Sequence, residues 1–498
     1  MFKNLIVAME APCLERKPSE ITPLTSFASS VSFADDDSLE LSNRGSSRQG
    51  GYLLYRQRWL VLASYCLLNV SNGWIWALWS PLTALLADYW EVSESDIDAL
   101  SGIYMYVFVP MNIVSMWLVV NYLGLGKGLQ LGALLNLVGA LVMYAGGRDG
   151  WVLLEILSSW TDYQIKYLGI FLCALAQAFV LPMVALMSSN WFGEEERARA
   201  TSIGSLGFQL GSLFGLGSTV IVDFRDDVTG TLDPQKLDQY MRLSLFVALW
   251  AFILVLVTLI HDRPPTPPSE AAATLVQDKN VTVKYIDSIR LVLSSPSSRM
   301  FFLLFGLTIG VFYSIPAFFS QFMPAWSPRN QGILGGLFQV AAVFGCWAAG
   351  NLIPFFQLQY KKISVCLLFG CVISVALYTV SVQYQSYLAV LACGGIGFFF
   401  SSFMAVGIEF GTALSFPADE AAVYGLLDST AELFGYLLVT LGGAMSLIDF
   451  QVAFCCVLLV LLSISLVTLW RLEALVRRPS LMSGTSTSFI RESNSQMS

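Results

Sequence analysis

Runs of about 20 mostly apolar residues, broken by short polar stretches, recur along most of the chain. Each is long enough to cross the hydrocarbon of a bilayer as a helix. Twelve are expected, at about 58–80, 98–120, 128–146, 166–189, 199–222, 241–261, 299–322, 331–353, 362–382, 387–409, 421–444 and 450–471. The longest internal polar stretch, about 262–298, lies between the sixth and the seventh. It opens Pro264-Pro265-Thr266-Pro267-Pro268, a polyproline-like linker. Six spans, a linker and six spans is the layout of two parallel six-helix halves. The expected fold is an all-α membrane protein of twelve transmembrane helices in two pseudo-symmetric six-helix bundles. The expected units are a disordered tail at 1–52, a bundle at 53–262, a cytoplasmic linker at 263–298, a second bundle at 299–472 and a tail at 473–498.

The halves show weak internal similarity. Phe192-Gly-Glu-Glu195 at the fourth-to-fifth junction is followed 17 residues after Phe192 by Gln209, in Phe-Gln-Leu-Gly211. At the tenth-to-eleventh junction, Phe416-Pro-Ala-Asp419-Glu420 is followed 16 residues after Phe416 by Glu432, in Glu-Leu-Phe-Gly435. A polar residue near a glycine thus recurs at one depth of spans five and eleven. Spans one and seven also agree: Asn72-Gly-Trp-Ile-Trp76 in one and Gly310-Val-Phe-Tyr313-Ser-Ile-Pro316 in the other, each with a glycine, an aromatic and a later proline. Together these matches indicate duplication.

Ser71 to Leu82 is the least lipid-like part of span one. Three tryptophans fall within six positions, preceded by Asn72 and followed by Pro81. Interfacial tryptophan gathers at headgroup depth, whereas Trp76 lies deeper, which points to a helix facing something other than lipid.

Composition narrows the class. Of 498 residues 55% are hydrophobic and 12% charged, about half the charged fraction of a soluble chain. Mean hydropathy is +0.65. A net charge of −8 gives no basic footprint for nucleic acid. The nine cysteines show no metal-type spacing, most lying in apolar runs, and His261 is the only histidine; no metal and no cofactor are expected. His261 reads as an interfacial residue at the end of span six. No Walker loop, nucleophile elbow or zinc-protease motif appears, so the chain is not read as an enzyme. Ser-rich sequence with Asp35-Asp36-Asp37 makes the start a solvated tail rather than a signal peptide. Basic residues near the span ends, among them Arg56, Arg58, Lys127, Arg197, Arg263, Lys361 and Arg471, favour both termini inside.

Polar residues inside a membrane are costly and usually face the bundle interior or a water-filled cavity. The spans contain Gln177, Gln209, Glu409, Asp428 and Glu432. Asp428 and Glu432 are four apart and share a helix face. Two such carboxylates repel in low dielectric, which a shared proton, a bound cation or hydration at a helix end would relieve. For Trp76 and Tyr313, helix packing stands beside an aromatic cage. Ring faces attract quaternary ammonium groups by about 0.5–2 kcal/mol each. Gln209 would then bond a hydroxyl, and Glu432 would offset the charge.

The signature between spans two and three, Val119-Val-Asn121-Tyr-Leu-Gly-Leu-Gly-Lys127-Gly, resembles the motif of the major facilitator superfamily with its aspartate missing. A more detailed resemblance is to the feline leukaemia virus subgroup C receptor-related transporters, a haem and choline carrier family. It rests on Arg58-Trp59-Leu-Val-Leu62, Asn72 with Trp76, Ile103-Tyr-Met-Tyr-Val-Phe-Val-Pro110, Ala176-Gln177-Ala-Phe179, Trp191-Phe-Gly193, Gln209-Leu-Gly211, Phe312-Tyr313-Ser314, Val406-Gly-Ile-Glu409-Phe410 and Gly425-Leu-Leu-Asp428-Ser-Thr-Ala-Glu432-Leu-Phe-Gly435. The resemblance implies the major facilitator fold and a central choline or ethanolamine site. That site would hold a span-one tryptophan (Trp76), a span-seven tyrosine (Tyr313) and glutamines from spans five (Gln209) and eleven. Here Glu432 stands for the second glutamine, and Asp428 for a nearby asparagine.

The expected function is alternating-access transport of a small organic cation, choline- or ethanolamine-like. The expected site is Trp76, Tyr313, Gln209, Glu432, Asn72 and Asp428. Haem export, proton-coupled movement of a vitamin-like solute and a non-transporting receptor are the alternatives. The expected partners are a small-molecule cation or amine and the lipid bilayer, with no nucleic acid and a monomeric chain. The expected location is an integral, multi-pass one, in the plasma membrane by default, with an internal membrane as the alternative.

Overall fold

The computed structural model describes residues 46–49, 52–146, 160–226, 230–268, 281–355, 359–415, 418, 420–445 and 450–472. The described residues from Ser47 onward belong to one compact unit. The tail expected at 473–498, most of that at 1–52, and residues 269–280 of the linker lie outside the described residues.

Each of the twelve expected stretches is helical. In order, spans one to six are Gln57–Ala77, Glu94–Leu118, Gly124–Ala145, Asp162–Val180, Glu194–Leu216 and Pro234–Thr258. Spans seven to twelve are Pro296–Ser314, Pro328–Phe355, Tyr360–Tyr384, Leu388–Ser415, Glu420–Met445 and Phe450–Arg471. Among the described residues, ten helices are long and apolar enough to cross a membrane. The difference from twelve has two causes. Spans two and three form one helical path, Glu94–Ala145, because the π turn Val119–Leu123 replaces the expected loop. Span five begins on Glu194, Glu195 and Glu196, and among the described residues Ile203–Leu216 of it forms an apolar helix shorter than that length.

The ends of the spans follow from local chemistry. Ser93 caps span two by accepting from the Asp96 N–H, and Asp96 accepts in return from the Ser93 N–H at 3.0 Å. Thr161 and Gln164 form the same box at span four. Asp233 caps span six ahead of Pro234. Proline interrupts the helical path where no amide hydrogen is available. Span four stops just before Pro182 and resumes as Met183–Trp191. Span one gives way to a 3-10 turn at Ser80–Leu82 and a short helix at Thr83–Trp90. Span seven gives way to a 3-10 turn at Ile315–Phe318.

The expected linker is not wholly irregular. Val281–Ser294 is a helix packed against spans seven and eleven, with Ser288 and Val292 buried. Span six ends at Thr258, and His261 lies exposed three residues beyond it.

Span one packs along span five, and span seven along span eleven. Glycine permits both approaches. A Cβ on Gly73 would collide with the carbonyl oxygen of Phe208. A Cβ on Gly310 would lie 2.7 Å from the Cβ of Phe434. Three residues after each glycine stands an aromatic, Trp76 in one half and Tyr313 in the other, so each ring sits one turn from the close contact.

The halves meet through spans two and eleven and through spans five and eight. The near face is defined as the one where the chain enters span one. Toward the far face, the Ser80 hydroxyl donates to the carbonyl oxygen of Pro316, and Gln321 Nε2 donates to Asp98 Oδ2 at 2.8 Å. Toward the near face, Asn112 Nδ2 donates to the Gly425 carbonyl at 2.9 Å and to Ser429 Oγ at 2.8 Å.

The aspartate missing from the span two–three signature has a substitute from elsewhere in the chain. Gly124, at φ +73°, turns the chain into span three. There the Gly126 N–H donates to Asp262 Oδ1 at 2.6 Å, a carboxylate brought in from the end of span six. The eight described cysteines are all free.

Candidate functional site

A cavity lies between the halves, with about 700 Å³ of space between atoms counting its mouth. Its walls come from spans one, five, seven, eight, ten and eleven and from the break after span four. Of the six expected site residues, Trp76, Gln209, Tyr313 and Glu432 line it. These four are spread over 357 positions of the chain, from Trp76 to Glu432.

Trp76 occupies the last turn of span one, just before the proline-broken segment. Its ring stands 5.6 Å from that of Phe208, tilted by 37°, so span five braces it. Trp74 and Trp79 do not reach the cavity. Trp74 packs on Phe214 and Tyr240, with ring centres 5.6 and 5.3 Å away. Trp79 is fully buried against Trp90.

Tyr313 ends span seven as Trp76 ends span one. Its hydroxyl donates to Asp428 Oδ1 at 3.4 Å and lies 3.9 Å from the sulfur of Met404. Asp428 is not on the cavity wall but behind Tyr313. Hydration at a helix end is overturned for it: span eleven begins eight residues earlier, at Glu420, and Asp428 is 4% exposed. Its second oxygen, Oδ2, has no hydrogen-bond partner among the described residues. Glu432, 5% exposed, lies one turn further along the helix, beside the Gln177 side chain.

Asn72 is placed elsewhere. It is 1% exposed, and its Nδ2 donates to Asn136 Oδ1 and to the Cys173 carbonyl, both at 3.0 Å. Asn136 in turn donates to Ser71 Oγ at 2.9 Å. This network ties span one to spans three and four, satisfying amides that lipid would leave unpaired. Glu409 is exposed on span ten.

Two relevant residues lie outside the six expected for the site. Gln177, singled out from the sequence with Gln209 as an intramembrane amide, lies beside Glu432, and Gln339 of span eight lines the cavity with Oε1 unpartnered among the described residues. Both are amides deep in apolar runs, the signal that singled out Gln209. The lining contains one acid, three aromatics besides phenylalanine (Trp76, Tyr313 and Tyr424) and no basic side chain or histidine. Among the described residues no group of His, Cys, Asp and Glu is arranged to hold a metal ion. The site offers ring faces, one carboxyl group and amides, a set suited to a small cation with a polar end.

Comparison with known proteins bears on this arrangement. The sequence profile described as Major Facilitator Superfamily matches residues 65–438. The Danio rerio protein named "Choline/ethanolamine transporter flvcr2a" is 27% identical over 413 residues, 82% of this chain and 83% of its own. "Solute carrier family 49 member A3" of Xenopus tropicalis is 26% identical over 394 residues, 78% of this chain and 77% of its own. "Uncharacterized MFS-type transporter C09D4.1" of Caenorhabditis elegans is 27% identical over 396 residues; these span 78% of this chain but 64% of that protein's length. Among solved structures, a D-xylose-proton symporter superposes with a TM-score of 0.62 at 12% identity, over 83% of this chain and 97% of its own. A bacterial homologue of the lysosomal transporter Spinster gives 0.58 at 14% identity, over 83% and 94%. At such identity these two structures speak for the fold alone.

Proposed function

This chain belongs to the Major Facilitator Superfamily, and from that premise we propose that it moves a small choline- or ethanolamine-like cation across a membrane by alternating access. It is a multi-pass membrane transporter and not an enzyme. One observation carries the choice of substrate: Trp76, Tyr313 and Glu432 line a single cavity between the halves. A quaternary ammonium group donates no N–H bond, so ring faces and a nearby carboxylate are what hold it. The relatives named choline/ethanolamine transporters support the same reading. Gln209 and Gln339 would bond the hydroxyl of such a substrate.

Alternating access is supported by the bonds between the halves on either side of the cavity. Asp98–Gln321 and Ser80–Pro316 lie toward the far face, and Asn112–Gly425 toward the near face. Opening toward one side requires breaking only that side's set. Haem export finds no support at the cavity, whose lining lacks an axial histidine and any base for propionates. The buried pair Asp428 and Glu432 favours one second reading, proton-coupled movement of an amine or vitamin-like solute.

The test is uptake of labelled choline and ethanolamine into proteoliposomes holding the wild type, Trp76→Ala or Tyr313→Ala. Choline uptake by the wild type with loss in both variants is the expected result. Wild-type transport unaffected by either change would remove the cage.

A further inference from the structure

The far-face contact between Asp98 and Gln321 is incompletely bonded. The two side chains are 5% and 8% exposed. Gln321 Nε2 donates to Asp98 Oδ2 at 2.8 Å. The remaining oxygens, Asp98 Oδ1 and Gln321 Oε1, are both buried and without a partner among the described residues. Both are acceptors, so neither can satisfy the other. Two buried acceptors on one contact are costly, unless a hydrogen lies between them.

We propose that Asp98 and Gln321 form a proton-operated latch that holds the far face closed. A proton on the Asp98 carboxyl makes it a donor to Gln321 Oε1, while the Gln321 amide still donates to the other carboxyl oxygen. Acid and amide then form a cyclic pair with both acceptors satisfied. Loss of the proton to water leaves one bond and a buried charge, and the halves separate more readily there. The proton is taken up from the far-side solution and returned to it, and no other bond changes.

The surroundings leave Asp98 without a competing cation. The segments Ser80–Leu82, Ile315–Phe318 and Phe319–Phe322 carry no titratable side chain. Glu94 on the same helix is the charged group acting on Asp98. Of the neighbouring elements, Thr83–Trp90 brings Asp88, span four brings Tyr163 and Tyr167, and span eleven brings Tyr436. Lys166 of span four is committed to Asp162 and to the carbonyls of Met143 and Gly146.

The latch rests on the alternating-access reading but not on the identity of the substrate, and its test needs none. Spin labels at Tyr89→Cys and Tyr384→Cys, both exposed at the far face, report the separation of the halves, with exposed Cys366 and Cys456 changed to serine. Distances are read from the full chain in lipid at about pH 5 and about pH 9, a range in which exposed carboxylates stay ionised and a carboxyl desolvated by burial changes state. In the wild type the fraction with the longer distance should rise roughly five-fold at the higher pH, the worth of about one hydrogen bond. Asp98→Asn, which pairs with Gln321 as amide to amide, should keep the short distance at both pH values. Gln321→Leu should raise the long-distance fraction at both. A pH response surviving in Asp98→Asn overturns the proposal, as does a wild-type distribution with two distances whose proportions ignore pH. A single distance at every pH overturns it too. If Gln321→Leu keeps that same single distance, the alternating-access reading falls with it.

Discussion

The Tyr313 hydroxyl donates to Asp428 Oδ1 at 3.4 Å, while the Tyr313 ring lines the cavity and Asp428 stands behind it. One side chain thus joins the substrate wall to a buried acid. Tyr313→Phe should keep the ring and lose the bond, leaving Asp428 without a partner on either oxygen. The expected cost is about 1–3 kcal/mol of stability, read as a lower midpoint of thermal unfolding in detergent. Choline affinity should change by less than about three-fold, since a ring face remains. An affinity loss matching that of Tyr313→Ala would make the hydroxyl, not the ring, the binding group.

Removing the rings should act on the cation directly. Trp76→Ala and Tyr313→Ala should each weaken choline binding roughly 3- to 30-fold. Trp76→Phe should recover part of that loss. Equilibrium binding of labelled choline to purified protein reads the effect without the complication of transport rate.

Among the described residues, Glu432 is the only acid on the cavity wall. It attracts a cation while ionised and not once protonated, so affinity should fall as the pH is lowered. Glu432→Gln keeps the size and polarity of the side chain beside Gln177 but removes the charge. It should lower choline affinity on the order of ten-fold near neutral pH and shrink the further loss at acid pH. Binding isotherms across pH for both proteins are the check. An unchanged pH profile would assign the titration to another acid.

The glycine contacts make a prediction about stability. Gly73→Ala and Gly310→Ala insert a Cβ into Phe208 and Phe434 and should each cost about 1–3 kcal/mol by overpacking. At Gly394 of span ten, nothing lies within 4 Å of an added Cβ. Gly394→Ala should therefore leave stability equal or raise it by about 0.5–1 kcal/mol. Thermal unfolding of the three variants separates a packing effect from a general cost of losing glycine.

The spans were legible because the signal is local. A run of about 20 apolar residues specifies a helix in lipid whatever its neighbours do. Ser93, Thr161 and Asp233 likewise fix their helix starts through backbone groups within three residues. The spacing from Gly73 to Trp76 and from Gly310 to Tyr313 is also written in the chain. Four of the six expected site residues line the cavity, because polar and aromatic residues deep in lipid-length runs have few other places to go.

What the chain alone did not decide is which of those residues share a space. Asn72 and Trp76 are four apart on one helix, yet the first is spent on Asn136 and Cys173 and the second faces the cavity. Asp428 and Glu432 share a face, yet only Glu432 reaches the wall. Asp262 supplies a carboxylate to Gly126 across 136 residues, and Gln321 meets Asp98 across 223. These outcomes depend on how each helix is rotated and crossed against its neighbours. That is set by the sum of packing over whole helix faces, with glycines choosing the close contacts, and no short window of sequence contains it.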